Sequence, residues 1–383
     1  MVGQEPILLM PQGTLQESKH LRALSILTLT EPSARKVNGG GKNVPCVSEA
    51  LDHIAELDQR GRDEFLALAD AHHVVVRALQ ALNGPAAGAG NTDIIQWVSD
   101  TLARENARIE NALKYLDNIL RELETAGARG VVIKSLDHWP DVGNDLDLYS
   151  SADEKAIVRV MVDKFKAHVE PRSWGDRLAN KWNFSIQGLR ELIEVHSQRL
   201  GQTGEHRAIA ERVMERSVTR ELGGYCFPVP APEERIIIGT LQRMYRHFYF
   251  RICDIVNTAN LVETDGIDFG ELRRTADLGG IWPGVATYLV IASDYVKQYR
   301  GTGLELPREV RSAARFGGDK ITVRQKFLRV PILPEGAGLY TRQMTQTALR
   351  GDLPGTFRLS LLPYLASAAA VAAKVTGSDK GIW

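Results

Sequence analysis

One alternation constrains this chain more than any other stretch: Asp145-Leu146-Asp147-Leu148-Tyr149. Acidic and apolar residues change place at every step. That is the two-residue period of an extended strand with one wet face and one buried face. As a strand, it points Asp145 and Asp147 to one side and Leu146 and Leu148 into a core. Two carboxylates held that close repel unless a cation lies between them, so the pair is a candidate divalent-metal site. Upstream, the apolar run Val131-Val132-Ile133 ends in Lys134-Ser135, and a loop with Pro140 and Gly143 leads into the acidic strand.

Downstream, Glu191-Leu192-Ile193-Glu194-Val195-His196 reads as a second short strand, with Glu194 and His196 on one face. Laid beside the first strand, Glu194 completes a trio of oxygen ligands suited to Mg²⁺ or Mn²⁺. Residues 181–186 alternate with Trp182, Phe184 and Ile186 on one face, and Gln187-Gly188 is a turn signal. The spacing predicts a hairpin of 181–186 with 189–197. The core is then a small mixed sheet: the strand before Lys134, the two-aspartate strand, and this hairpin.

Lys134-Ser135, a loop, Asp-Leu-Asp and a later apolar strand bearing Glu194 resemble the nucleotidyltransferase superfamily with a DNA polymerase β-like palm. That family carries a small-residue turn ending in Gly-Ser, an Asp-x-Asp or Asp-x-Glu strand, and a third carboxylate. More narrowly, the chain is similar to bacterial nucleotidyltransferases with Lys-Gly at the turn, a helical second half, a His…Arg…Asp helix and a later Asp-aromatic turn. The matching residues here are His247, Arg251, Asp254 and Ile267-Asp268-Phe269. The similarity spans roughly residues 115–300, and Lys134-Ser135 in place of Gly-Ser or Lys-Gly is its departure.

The resemblance implies an α+β fold: a small mixed palm-like sheet flanked by mostly helical N- and C-terminal regions. It implies transfer of a nucleoside monophosphate from a nucleoside triphosphate, ATP being the first expectation, to an acceptor with release of pyrophosphate. Asp145, Asp147 and Glu194 would be the catalytic and metal-holding acids, with Mg²⁺ or Mn²⁺ as the cofactor. Ser135 and Lys134 would meet a β- or γ-phosphate from the turn. Asn144, His196 and Lys181 are further nucleotide- or acceptor-facing candidates, and Arg190 joins Lys181 as a candidate triphosphate contact.

Composition sets the outer limits. A chain of 383 residues has room for two domains, or one with large additions. With 47 basic and 47 acidic residues the formal charge is zero. That argues against broad attraction to nucleic acid or an anionic membrane, so a small-molecule acceptor is expected. A protein or tRNA acceptor stays open. Cys46, Cys226 and Cys253 are widely spaced, which supports neither a zinc ribbon nor a disulfide framework and fits a reducing cytoplasm. The N-terminus lacks a basic-then-apolar leader pattern, since Glu5 comes early. The longest apolar run, 359–373, is broken by Pro363 and falls short of the ~20 residues of a spanning helix. It is expected as a packed helix.

The remaining patterns organise the chain around that core. Residues 1–47 are poorly defined: 24–30 suits a strand or a short helix, and 34–43, with Gly39-Gly40-Gly41, suits a flexible loop. Residues 48–82 show helical spacing that Asn83-Gly84-Pro85 should stop. Asn91-Thr92-Asp93 then caps a long amphipathic helix with Ile109, Leu113, Leu116, Leu120 and Leu123 inward, ended by Gly127 and Gly130. The expected division is a helical region 48–126, a nucleotidyltransferase core 127–203, a helical domain 204–300 and a C-terminal extension 301–383. His72-His73 fall on a helix with no ligand set around them. Arg251 and Asp254, three apart on a helix, suit a structural ion pair. Two other readings stand beside the transferase. In an Asp-x-Asp glycosyltransferase the same acids would hold the metal of a nucleotide-sugar, but the hundred or so residues ahead read as helices rather than the βα region that fold needs. The other is a non-enzymatic helical interaction protein with a degenerate site.

Overall fold

The structure is a computed structural model that describes residues 19–30, 46–324 and 326–376. The glycine-rich loop expected at 34–43 lies outside them. Helices come first: α1 (Lys19–Leu29), α2 (Val47–Ala55), α3 (Gln59–Ala71), α4 (Val75–Gly88) and α5 (Thr92–Thr125). The choice between strand and helix at 24–30 falls to helix. Leu21, Leu24, Ile26, Leu27 and Leu29 are all buried, because α1 is enclosed by neighbouring helices rather than lying on a surface. The 48–82 pattern is broken into separate helices. Asp58 caps the start of α3 by accepting from Gly61 N, and His73, at φ 51°, turns the chain into α4. Pro85 does not stop α4, which takes the proline into its last turns and ends at Gly88. The long amphipathic helix is α5, 34 residues capped by the Asn91 side chain on Ile94 N.

The α+β expectation holds. The sheet is formed by β1 (Gly130–Val132), β2 (Asp145–Ser150), β3 (His168–Val169), β4 (Lys181–Ser185) and β5 (Leu192–Ser197), with α6 (Glu154–Phe165) and α7 (Trp174–Ala179) between strands. The spatial order is β1-β2-β5-β4-β3; β2 and β5 run parallel and the other neighbours antiparallel. Short β3 is an edge strand with no sequence signature. The β4–β5 connection covers residues 186–191 rather than the two residues expected. Ile186 and Leu189 are buried, and Tyr115 Oη and Asn111 Nδ2 of α5 donate to the carbonyls of Gln187 and Gly188 at 3.2 and 2.9 Å. The loop is therefore drawn onto α5 instead of closing tightly.

The stretch after 204 is less purely helical than expected. Between α8 (Arg207–Glu215) and α9 (Pro232–Thr240) stands a hairpin of β6 (Ser217–Leu222) and β7 (Tyr225–Pro230). Its turn, Gly223-Gly224, has φ of 56° and 81°, the left-handed pair that a tight hairpin requires. A π-helical turn, Leu241–Arg246, extends α9. Then come β8 (Tyr249–Phe250), α10 (Ile252–Asn260), α11 (Phe269–Leu278), α12 (Trp282–Arg300) and α13 (Arg308–Ala313). Strands β9 (Thr322–Arg324) and β10 (Phe327–Arg329) join β8 in a small sheet, and α14 (Ala337–Leu349), α15 (Leu353–Ser360) and α16 (Leu362–Thr376) follow. The single packed helix expected at 359–373 is split between α15 and α16 and only partly packed: Leu359 and Ala369 are buried, while Tyr364 and Val371 are exposed. No helix among the described residues is long and apolar enough to cross a membrane.

The five-stranded sheet divides the interior. Val132, Leu146, Leu148, Phe184, Ile193 and Val195 form one core with α5 and α6. Val131, Ile133 and Tyr149 point the other way, into a larger core shared with α1, α4, α9, α10 and α12. The polar residues of β2 and β5 therefore lie between the sheet and the helical mass.

Candidate active site

The pairing of β2 with β5 sets Asp147 opposite Glu194 and Asp145 opposite Leu192. Register partners share a face, so the two acids stand side by side. On β4, Lys181 is the partner of His196. One sheet face thus carries Asp145, Asp147, Lys181, Glu194 and His196. Carboxylate oxygens of Asp147 and Glu194 and a ring nitrogen of His196 lie within 4.8 Å of one another. Asp145 stands at the start of β2, at the solvent edge. The trio that closes is Asp147, Glu194 and His196, with Asp145 at its mouth. Asn144 is exposed and its carbonyl accepts from Leu192 N at 3.3 Å, joining the two strands at that mouth.

The turn after β1 supplies the cation. Lys134 has φ 64° and ψ −56°, and Ser135 N donates to Ile133 O at 2.7 Å. This is a three-residue γ-turn with positive φ, a strained conformation for a lysine. It brings Lys134 Nζ to 2.5 Å from Asp147 Oδ1 and 3.8 Å from Glu194 Oε1. Ser135 is buried beneath Asp147. Its Oγ accepts from Asp147 N at 2.7 Å and lies 3.2 Å from Asp147 Oδ2. The structure thus places Ser135 as a positioning residue for Asp147 rather than at the cleft wall, where the phosphate role foresaw it. The loop that follows is clamped. Asp141 accepts from Val76 N and Arg77 N at the start of α4, and Arg77 donates to Trp139 O at 2.7 Å. Arg108 of α5 pairs with buried Glu191 and donates to Val142 O, holding the starts of both acidic strands.

Lys181 closes the other side. Its Nζ lies 2.8 Å from Asp176 Oδ1 and 3.0 Å from Glu194 Oε2. Asp176 belongs to a capping box with Ser173 at the start of α7. Neutral His196 donates from Nε2 to Glu194 Oε1 at 2.9 Å, a tautomer assigned from that partner. Its Nδ1 is buried with no hydrogen-bond partner.

Charge and burial separate these groups. Burial, with Glu194 and Asp145 nearby, pushes the Asp147 carboxyl up to about 7 against the pull of Lys134. Glu194 is as deeply placed, but Lys134, the His196 bond and Lys181 overcome that burial and hold it well below the carboxylate range. Burial takes His196 down to about 4 despite Glu194, so the ring is neutral at pH 7. The burial Asp145 does have, and the charge of Glu194, raise its carboxyl. Two carboxylates with opposed shifts in one site are the pattern of a functional pair.

A cleft opens from this face toward the helices. It is lined by Lys134 and His196 on the sheet side and by Glu205, Gln242, Tyr245 and Arg246 opposite, and its cavity holds about 50 Å³. The π-helical turn aims Gln242, Tyr245 and Arg246 at the sheet, and such turns recur at functional sites. Glu205, Gln242, Arg246 and Asp176 went unread in the sequence. They come from a loop, the π-helical turn and α7 and meet only through packing; the one local sign was the Ser173-x-x-Asp176 cap.

Other sequence candidates go elsewhere. Asp254 pairs with Arg243 (Nε to Oδ2, 2.7 Å) and not with Arg251, since Arg251 sits at the α10 N-cap and its backbone N donates to Asp254 instead. His247 lies beside Tyr249, ring centroids 5.6 Å apart. Asp268 caps α11 through Gly270 N and Glu271 N, so the Asp-aromatic turn is a helix start. His72 bridges Ile252 N and Lys326 O, and His73 stacks on His138. Arg190 reaches Asp70 at 4.0 Å on the exposed surface.

The residues present fit a divalent cation. Asp147 and Glu194 supply hard oxygen donors, and a neutral imidazole beside them suits Mn²⁺ as well as Mg²⁺. Two lysines drawn onto the acids show how strongly the site attracts positive charge. No family model matches the chain, and no curated protein or solved structure matches it.

Proposed function

We propose that this chain is a metal-dependent nucleotidyltransferase that moves a nucleoside monophosphate from a nucleoside triphosphate to a small-molecule acceptor. The observation that carries the reading is the facing pair Asp147–Glu194 on parallel β2 and β5, with Lys134 thrust onto it by a strained turn at the wall of a cleft. Asp147 and Glu194 would hold Mg²⁺ or Mn²⁺, with Asp145 at the mouth. The cation, when bound, would neutralise charge on the phosphates. Lys134, released from Asp147, would pair with a phosphate of the entering triphosphate. Arg246 lines the cleft wall and would do the same from the helical side. The acceptor oxygen forms a bond to the α-phosphorus as the bridge to the β-phosphate breaks and pyrophosphate leaves. The acceptor's proton would pass to a carboxylate oxygen of the site as the new bond to phosphorus forms. His196 Nδ1, buried and unpaired at the cleft, is ready to accept from a ligand hydroxyl or amine.

A second reading has one observation in its favour. Lys134 and Lys181 already neutralise the acids, as they would in a protein that binds a nucleotide without turnover. Incubation with each nucleoside triphosphate, Mg²⁺ or Mn²⁺ and acceptor pools, with pyrophosphate detection, decides between them. Pyrophosphate release abolished in Asp147→Asn, with the variant folded, is the expected result. Nucleotide binding without pyrophosphate from any triphosphate would leave the binding protein.

A further inference from the structure

A second cleft lies away from the acid-lined site, where the α11–α12 turn meets α14. Its cavity holds about 340 Å³, and its walls carry Arg315, Arg342 and Arg350 with Asp277 as the lone acid. Asp277 is already shared: Arg273 Nε lies 3.6 Å away and an Arg350 nitrogen 3.7 Å away. Arg315 and Arg342 take part in no ion pair among the described residues. Three guanidiniums thus line the cleft with one carboxylate, in a chain whose total charge is zero. The first turn of α12, a 19-residue helix with no side-chain cap, lines the same cleft through Trp282 and Pro283. Its N-terminal end adds partial positive charge. Trp282 is buried, and its Nε1–H has no partner. The cleft's width is fixed by contact. Gly280, at φ 66°, sits against α14 so closely that a Cβ there would be 2.8 Å from Gln346 Cβ.

We propose that this cleft binds a small, multiply charged phosphate ligand, independently of the metal site. Uncompensated guanidiniums around a concave space hold phosphate oxygens in pairs, and several of them match a polyphosphate better than a single carboxylate. The site is a pocket between two elements and not a stripe along the surface. It therefore suits a compact molecule rather than a nucleic-acid backbone, which tracks extended basic grooves.

Titration calorimetry of the full chain with inorganic tripolyphosphate tests it. Arg315→Glu and Arg342→Glu change exposed side chains, so both variants should melt like the parent. Each should weaken tripolyphosphate binding at least about tenfold, as loss of charge-assisted pairs predicts. Lys134→Ala should retain one equivalent of binding at parental affinity. Three results would overturn the proposal: no binding to the parent, affinity indifferent to both arginines, or loss of all binding in Lys134→Ala, which would put the ligand in the cleft beside Lys134. Tighter binding of a single-stranded oligonucleotide through the same arginines would overturn it too, in favour of a nucleic-acid surface.

Discussion

On one face of the five-stranded sheet, Val132, Leu146, Leu148, Phe184, Ile193 and Val195 close against α5 and α6 with no charged group among them. On the other face of the same strands, Asp147, Lys181, Glu194 and His196 lie nearly as deep, tied to one another by ion pairs and hydrogen bonds. The first face stabilises by removing apolar area from water, a term that needs no particular partner. The second removes charges from water and recovers that cost only through its pairings. Position along the strands therefore does not decide what a residue contributes; parity does. The apolar face should answer to substitution with stability, and the polar face with chemistry.

The largest test is on the apolar face. Leu148 is fully buried there. Leu148→Ala should lower unfolding free energy by roughly 2–5 kcal/mol, read from urea denaturation. Leu148→Asp, an unpaired buried charge, should prevent folding. A well-folded Leu148→Asp protein would break the comparison, since it would mean that this face tolerates charge as the other does.

The same parity explains what could be read beforehand. Asp145, Asp147, Glu194, His196 and Lys181 were legible because a sheet with one wholly apolar face fixes its register, and a slip of one residue would bury the acids in that core. The pairing of Glu194 with Asp147 then follows. Lys134 was legible as a cation but not as the centre of a γ-turn, because nothing but glycine advertises a positive φ. Asp176, Glu205, Gln242 and Arg246 were not legible. They arrive from α7, a loop and a π-helical turn whose positions are fixed by packing far along the chain. Arg243, the partner of Asp254, is hidden for the same reason: the π-helical turn and β8 fold the chain back between them. Pro85 was over-read as a stop, since a helix can lose one backbone bond near its end.

A smaller effect separates the faces by pH. Asp147 binds its proton more tightly folded, at about 7, than in the unfolded chain. Between about pH 4 and 7 the folded state therefore holds a proton that the unfolded state releases, so this group's contribution to stability falls as pH rises through that window. Asp147→Asn removes it. The stability of the parent relative to Asp147→Asn should decline by up to about 1.4 kcal/mol per pH unit across the window and level off above it. Denaturation midpoints of both proteins at several pH values give the curve. A difference that does not change with pH would mean that Lys134 keeps Asp147 ionised throughout. A Leu148→Ala difference, by contrast, should be flat.

The smallest expected effect comes from a cation that left the polar face. Lys181 opens β4 and Arg190 lies in the connection to β5, and both suited a triphosphate by sequence. Lys181 is buried between Asp176 and Glu194, at 2.8 and 3.0 Å. Arg190 is exposed and, among the described residues, pairs with Asp70 at 4.0 Å across open surface. An exposed pair gains little Coulomb energy in water and loses side-chain freedom on forming. Arg190→Ala should therefore move the urea midpoint by less than about 0.5 kcal/mol equivalent, and more salt should erase even that. A clear loss of nucleotide affinity in Arg190→Ala, at unchanged stability, would instead draw this arginine back to the mouth beside Asp145. The functional face would then extend past the end of the strands, with parity no longer its boundary.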